Sequence, residues 1–463
     1  MTSVTGQRAP VVPDLGVPRG AALYVGALLG PGLLLLPGLA VTRAGPASIL
    51  AWAGLLVASG LFAVVFAALG VRHPSAGGVR AYAEAGLGPR AGRAVAWCFL
   101  AGVVTGAPIV SVTCGNYVAE LLGGGVRLAC AVAALLLLGT LAVVLRGVRT
   151  SATVQFGLVV LLVAIVVGAV AGAAPASSTA NWTPFAPHGW AAIGPAASTL
   201  MLAFVGWEAI APLTTRFARP HRQLPVVIGI AFGTTTVIYL ALGAVTVAAL
   251  GPAASTSVPL AALLTLAVGP AGQGIAAVGA VVLTVGAMLA YISGAGSLAR
   301  SLTPAPASGP APGPGPASVP GPVPASASGP GPGAGGVARR PAAARDAMPG
   351  WLFAALLGSA ALLIGLLGAG VVDLATLVNV PTTFFLVVYL GCTAAACRVL
   401  TGPLRAVAAV AFVAVVVVLA FSGYALIPAA CVTILALLAG PRRPAARPHP
   451  VGRRSESRYW EHV

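Results

Sequence analysis

The stretch Gly26-Ala-Leu-Leu-Gly-Pro-Gly-Leu-Leu-Leu-Leu-Pro37 lies in the middle of the first apolar span, yet two of its glycines flank a proline. Proline lacks a backbone donor and clashes with the preceding turn, and glycine costs helix stability. Backbone groups freed at membrane depth are tolerated only where they are buried in protein or line a wet cavity. A helix broken at Gly30-Pro31-Gly32 therefore predicts a site inside the bilayer, with a plain proline kink between packed helices as the alternative. The break sets a helix C-terminus against a new N-terminus, so acceptors face donors. A zwitterion suits that geometry, with its carboxylate on the N-terminal end and its ammonium on the carbonyls opposite.

The chain of 463 residues is 58% hydrophobic and only 7% charged, with mean hydropathy +0.99, which excludes a soluble domain and predicts an all-α polytopic membrane protein. The net charge of +17 would suit nucleic acid, but its distribution argues against such a partner. All 25 basic residues are Arg, and they fall between the apolar spans and in the tails, as a topology signal does. The absence of Lys beside so much Ala, Gly and Arg points to a GC-rich bacterial genome. Cys98, Cys114, Cys130, Cys392, Cys397 and Cys431 lie in or beside apolar spans without metal-type spacing, and read as small buried hydrophobes. Residues 1–20 form an N-terminal tail with no apolar core, so no signal peptide is expected.

A span needs about 20 apolar residues. Twelve are expected, at roughly 21–42, 47–70, 93–120, 126–145, 152–174, 191–213, 226–250, 272–298, 351–370, 374–397, 404–421 and 423–440. With the N-terminus inside, the inner segments hold 23 arginines and the outer ones only Arg43 and Arg127, so both termini are expected in the cytoplasm. The transmembrane domain is then 21–300 and 349–440. Between its parts, 303–345 is rich in Pro, Ala, Gly and Ser and is expected to be a disordered cytoplasmic linker. The Arg-rich tail 441–463 reads as a topology anchor near anionic lipid. The outer loop from Ala174 to Trp190 suits an interfacial cap on the sixth span, with His188 as an interfacial polar group.

The sixth span is the second unusual one. Phe204-Val-Gly-Trp-Glu-Ala-Ile210 puts Gly206 and Glu208 near its middle, with Pro212 soon after. Glu208 is the one carboxylate deep in any span, since Glu120 and Asp373 fall at outer ends and Glu84 in an inner segment. An ionisable group at that depth must face a cavity or a partner, or be neutral and hydrogen-bonded to a broken helix end. Five helices per repeat, an odd number, inverts one half against the other. Interrupted helices at corresponding places in two inverted halves point to a transporter's central site.

Gly26-Ala-Leu-Leu-Gly-Pro-Gly32, Pro37 and Ala44-Gly-Pro-Ala-Ser-Ile-Leu-Ala-Trp52 resemble the opening of the amino acid–polyamine–organocation permeases. The inner segment Arg72-His-Pro-Ser-Ala-Gly-Gly-Val-Arg-Ala-Tyr82 is similar to that family's proline, paired-glycine and tyrosine signature. Arg146-Gly-Val-Arg149 with Gln155, Gly206-Trp-Glu-Ala209, Arg219-Pro-His-Arg-Gln-Leu-Pro225 and Asp346-Ala-Met-Pro349 continue the match in order. Within the family, the Asn181–Trp190 loop looks most like bacterial exporters of methionine and branched-chain amino acids. The resemblance implies two inverted five-helix repeats plus two extra helices, with helices one and six broken, in the bacterial inner membrane. It places substrate contacts at Ala27, Leu28, Leu29, Gly30, Pro31 and Gly32, and at Phe204, Val205, Gly206 and Trp207. It also implies a proton-sensing or gating role for Glu208.

Three departures stand out. Pro31 replaces a small residue, often Ser, and is suited to the first position of the second half-helix, leaving the Gly32 and Leu33 amides for a carboxylate. Arg216 stands where many members carry an acid, and the Pro/Gly linker is an insertion. No Arg lies in the interior of any span, so a neutral substrate is expected, held in an apolar pocket of Leu28, Leu29, Phe204, Val205 and Trp207. Its discrimination among Leu, Ile, Val and Met should be loose, since a methylene is worth only about 1–3 kcal/mol. The coupling ion is open between protons, through Glu208, and sodium, with Ser293 and Ser297 assisting; no other cofactor is expected. Export competes with uptake or exchange, and a non-transporting sensor is the reading from another class. A membrane enzyme lacks its constellation, because His73, His221, His449 and His462 fall in inner loops or the tail and His188 lies outside. The sequence leaves the oligomeric state undetermined.

Overall fold

A computed structural model describes residues 15–30, 32–73, 77–147, 152–208, 216–302 and 348–439. Within them the chain is helical, with one isolated bridge between Leu15 and Phe217. Nine helices among the described residues are long and apolar enough to cross a membrane. The chain is therefore a multi-pass membrane protein. The expectations for 303–345 and for 441–463 fall outside the described residues.

The first apolar span is two helices, α1 (Val17–Leu28) and α2 (Gly32–Ala44). A three-residue 3-10 turn at Gly45–Ala47 then leads into α3 (Ser48–Arg72). Two segments read from sequence as loops are in fact helical. The inner segment forms α4 (Gly78–Leu87), where Arg80 pairs with Glu84 at 3.6 Å one turn away. The outer segment before the eighth span forms α10 (Pro259–Val268), ten residues long and so too short to span the bilayer. Its apolar run was legible, but only tertiary packing makes a helix that short persist.

Between them come α5 (Pro89–Leu121), α6 (Val126–Leu145), α7 (Ala152–Ala173), α8 (Ile193–Leu200) and α9 (Pro220–Val245). The chain continues as α11 (Ala271–Leu302), α12 (Gly350–Gly368), α13 (Leu374–Val399), α14 (Pro403–Ala420) and α15 (Leu426–Leu438). The sixth span, expected over 191–213, is helical only through α8 and a 3-10 turn at Met201–Phe204, and 209–215 lie outside the described residues.

The centre of the protein is a ring of helices around the break between α1 and α2. α5 packs against α6, α11 and α13, while α9 packs against α1 and α3, and α8 against α2 and α3. α6, α12 and α14 are apolar yet largely exposed, as suits helices whose outer faces meet lipid tails. The start of α1 is tied down from outside its own helix: the Leu15 amide donates to the Arg216 carbonyl at 3.3 Å, and the buried Phe217 ring fills the space beside Gly20.

Close helix contact rests on particular glycines. A Cβ at Gly115 on α5 would overlap the Ala129 carbonyl oxygen of α6, whereas one at Gly139 on α6 would meet nothing within 4 Å. Gly115→Ala is expected to destabilise the detergent-solubilised protein by about 1–3 kcal/mol, the usual cost of overpacking. Gly139→Ala should hold or raise the melting temperature, because alanine is the better helix former. Equal melting temperatures for Gly115→Ala and the parent chain would contradict this packing.

Candidate functional site

At the end of α1 the Leu29 amide still donates to the Val25 carbonyl at 2.7 Å, and the Leu33 amide turns back to the Gly30 carbonyl at 3.0 Å. That closure occupies one of the two amides expected to face a carboxylate. The Gly32 amide has no partner among the described residues. Pro31 lies outside them. In the sixth segment the 3-10 turn opens into extended backbone at Val205 (φ −71°, ψ 123°). Gly206 follows at φ +156°, where a Cβ would sit 2.9 Å from the Ala27 carbonyl oxygen. The two breaks therefore touch, and glycine is required at the contact both for its backbone angle and for its missing side chain.

Broken helices free carbonyls, and Tyr239 and Tyr389 from other helices cap them, while Tyr117 ties the start of α2 to α10. The Tyr239 hydroxyl of α9 lies 2.6 Å from the Leu28 carbonyl and 3.1 Å from that of Ala203, so one proton bridges both breaks. Tyr117 of α5 donates to the Leu34 carbonyl at 2.6 Å and accepts the Leu260 amide of α10 at 3.2 Å. Tyr389 of α13 reaches the Phe204 carbonyl at 2.9 Å and Glu208 Oε2 at 2.7 Å.

Glu208 is 2% exposed. Its Oε2 accepts the Gly206 amide at 2.9 Å as well as the Tyr389 hydroxyl, so the carboxyl caps the loop it stands on. Among the described residues its Oε1 has no hydrogen-bond partner, nor has the buried Tyr291 hydroxyl of α11. The two groups are near enough to interact electrostatically. The carboxyl is thus half-satisfied, a costly arrangement at membrane depth.

Beside the breaks lies a cavity with about 650 Å³ of empty space. Ala27, Leu28, Gly30 and Gly32 border it from the first break, and Leu202, Ala203 and Val205 from the second. Gly102, Val103, Gly106, Ala107 and Val110 of α5 form the facing wall, with Ala287, Met288, Tyr291 and Ile292 of α11 and Phe385 of α13. Among the described residues no charged side chain lines it.

Of the positions expected to contact a substrate, the structure brings Ala27, Leu28, Gly30, Gly32 and Val205 together at this cavity, and leaves Leu29, Phe204, Gly206 and Trp207 off its lining. Leu29 is fully buried. The Phe204 ring packs 6.0 Å from Trp52 and 5.5 Å from Tyr239. Trp207 donates from Nε1 to the Ser59 hydroxyl at 3.0 Å and lies 5.9 Å from the Tyr24 ring. The backbone is extended at Val205 and turns again at Gly206, so the helical step no longer sets side-chain direction there, and Phe204 and Trp207 pack behind the break. The apolar wall comes instead from Val103, Val110, Met288, Ile292 and Phe385. Sequence reasoning missed these, although Gly102 and Gly106, four apart in a long span, mark a helix face where something approaches closely. Ser293 and Ser297 sit on the exposed side of α11 and not on the lining, and the Ser297 hydroxyl bonds the Gly294 carbonyl at 2.7 Å.

The profile of the family described as "Amino acid permease" matches residues 15–303. The chain is similar to the uncharacterized amino acid permease YecA of Bacillus subtilis, 31% identical over 48% of this chain and 52% of that protein. It is also similar to the L-methionine/branched-chain amino acid exporter YjeH of Escherichia coli, 31% identical over 49% of this chain and 54% of that protein. A third relative is the methylthioribose transporter of Bacillus subtilis, 27% identical over 47% of this chain and 51% of that protein. The chain spans about half the length of the curated relatives it matches.

Tyr239→Phe leaves the Leu28 and Ala203 carbonyls unpaired and is expected to cost about 1–3 kcal/mol of stability. Thermal unfolding in detergent measures it, with Tyr424→Phe as the control because Tyr424 is 92% exposed. An unchanged melting temperature for Tyr239→Phe would show that the carbonyls need no cap.

Proposed function

The chain belongs to the amino acid permease family, and from that premise we propose that it is a secondary active transporter of neutral, apolar amino acids of the Met, Leu, Ile and Val class. The observation that supports this reading best is the uncharged cavity at the meeting of the two breaks. The unpartnered Gly32 amide and the N-terminal end of α2 suit a carboxylate, and carbonyls at the ends of α1 and the 3-10 turn suit an ammonium. The apolar wall suits a branched or thioether side chain and offers no counter-charge to a cationic or anionic one.

The architecture assigned to the chain has twelve transmembrane helices. Ten form two inverted repeats, with the interrupted first and sixth helices in matching places, and two are additional. Both termini face the cytoplasm on the arginine bias, in a bacterial inner membrane. Transport proceeds by alternating access around the cavity, with export as the direction on the likeness to the exporter YjeH. Protons are the coupling ion in this reading. Glu208 sits directly behind the break with one oxygen unpartnered among the described residues, so gaining or losing a proton there alters the contacts that hold Gly206 and Tyr389.

Purified protein in liposomes preloaded with leucine or methionine tests the reading, with radiolabelled substrate followed under an imposed pH gradient and, separately, a sodium gradient. One proton coupled to one substrate across one pH unit supports up to about tenfold accumulation. Proton-driven accumulation that is absent under sodium is the expected result. Saturable binding without flux under either gradient would favour a sensor, and flux of methylthioribose but not of leucine or methionine would overturn the substrate class. Glu208→Gln should abolish the pH-driven accumulation while leaving the protein inserted. Accumulation that survives intact would remove Glu208 from coupling.

A further inference from the structure

Sharing no residue with the central cavity, a second concavity of about 530 Å³ opens between α3, α9 and the start of α14. Its walls are apolar: Ala63, Val64, Ala67 and Val71 from α3 face Ile228 and Phe232 from α9. Phe232 closes the deep end against Gly60, where a Cβ would lie 3.1 Å from its ring. At the other end the groove is bordered by Arg72 and His221. No carboxylate lines it, and among the described residues the one ion pair, Arg80 with Glu84, lies elsewhere. Arg72 uses one guanidinium nitrogen in a long contact with the Val399 carbonyl, at 3.4 Å, and keeps its remaining donors.

The dimensions decide what fits. From Gly60 to Arg72 the helix climbs twelve residues, about 18 Å at the α-helical rise. One leaflet of a hydrocarbon core about 30 Å thick is about 15 Å deep. The groove is therefore apolar for the depth of one leaflet and turns cationic where that leaflet's headgroups lie. A soluble anion would leave the apolar length empty, and a neutral apolar molecule would leave the cationic mouth unmatched.

We propose that this groove is a binding site for an anionic phospholipid, with an acyl chain between α3 and α9 and the phosphate at Arg72 and His221. The Arg72 guanidinium presents paired donors to phosphate oxygens, and the His221 ring donates an N–H in either protonation state. Because the lipid touches α3, α9 and α14 together, its occupancy braces the helix that carries Tyr239 against the helix that carries Trp52 and Ser59.

The test is native mass spectrometry of the full chain in detergent, titrated with phosphatidylglycerol or with phosphatidylcholine of the same acyl chains. The expected result is preferential retention of one phosphatidylglycerol. Arg72→Gln with His221→Gln should lower that retention at least about fivefold, the worth of one cation at a lipid surface, while Arg146→Gln at another inner helix end leaves it unchanged. Gly229→Leu fills the groove without overlapping a neighbour, since a Cβ there meets nothing within 4 Å, and should lower retention with the cations intact. Equal retention of the two lipids would overturn the proposal. So would an equal loss with Arg146→Gln, or retention unaffected by Gly229→Leu, either of which would mean headgroup attraction without a groove.

Discussion

A bilayer leaves no water for an unpaired carbonyl, and that constraint organises this protein. Breaking two helices at membrane depth frees backbone groups that would cost about 1–3 kcal/mol each if left unpaired. Tyr239 and Tyr389 meet that demand from two different helices, and Tyr117 adds a third tie just past the first break. Their positions fix more than hydrogen bonds. Tyr239 links the first break to the sixth segment through a single hydroxyl, and Tyr117 links α2 to α10. The aromatic packing of Trp52 on Tyr239, 5.0 Å apart and nearly parallel, then holds that hydroxyl in place.

Behind the breaks, Glu208 stands out among the buried polar groups. Among the described residues its Oε1 and the Tyr291 hydroxyl are without a hydrogen-bond partner, one behind the cavity and one on its lining. In the proposed mechanism this is the place where substrate in the cavity and a proton on Glu208 sense each other, because Tyr291 lines the cavity and lies within electrostatic reach of Glu208.

Much of this was legible in the sequence, and the limits have physical causes. Gly30-Pro31-Gly32 announced the first break because two helix-disfavouring residue types coincide inside an apolar span, and the helix does stop at Leu28 and restart at Gly32. Gly206 marked the second break in the same way. The direction of side chains after a break was not legible: the helical step no longer applies, and Phe204 and Trp207 turned toward α1, α3 and α9. The tyrosine caps were hidden for another reason. Each lies tens to hundreds of residues from the carbonyl it serves, and a mid-span tyrosine has no local pattern that names its partner. The same holds for the α5 and α11 walls, which become part of the cavity only through packing.

The claim on which the account turns is that the cavity between the breaks holds the substrate. Equilibrium binding of radiolabelled leucine to the purified protein, compared with Gly106→Leu, tests it most directly. Gly106 lines the cavity, and a Cβ there makes only an ordinary contact with Pro381, at 3.4 Å, so the larger side chain fills the cavity while the helices keep their places. The account predicts saturable binding that Gly106→Leu abolishes without lowering the melting temperature. Unchanged leucine affinity in that variant would contradict it and place the substrate elsewhere.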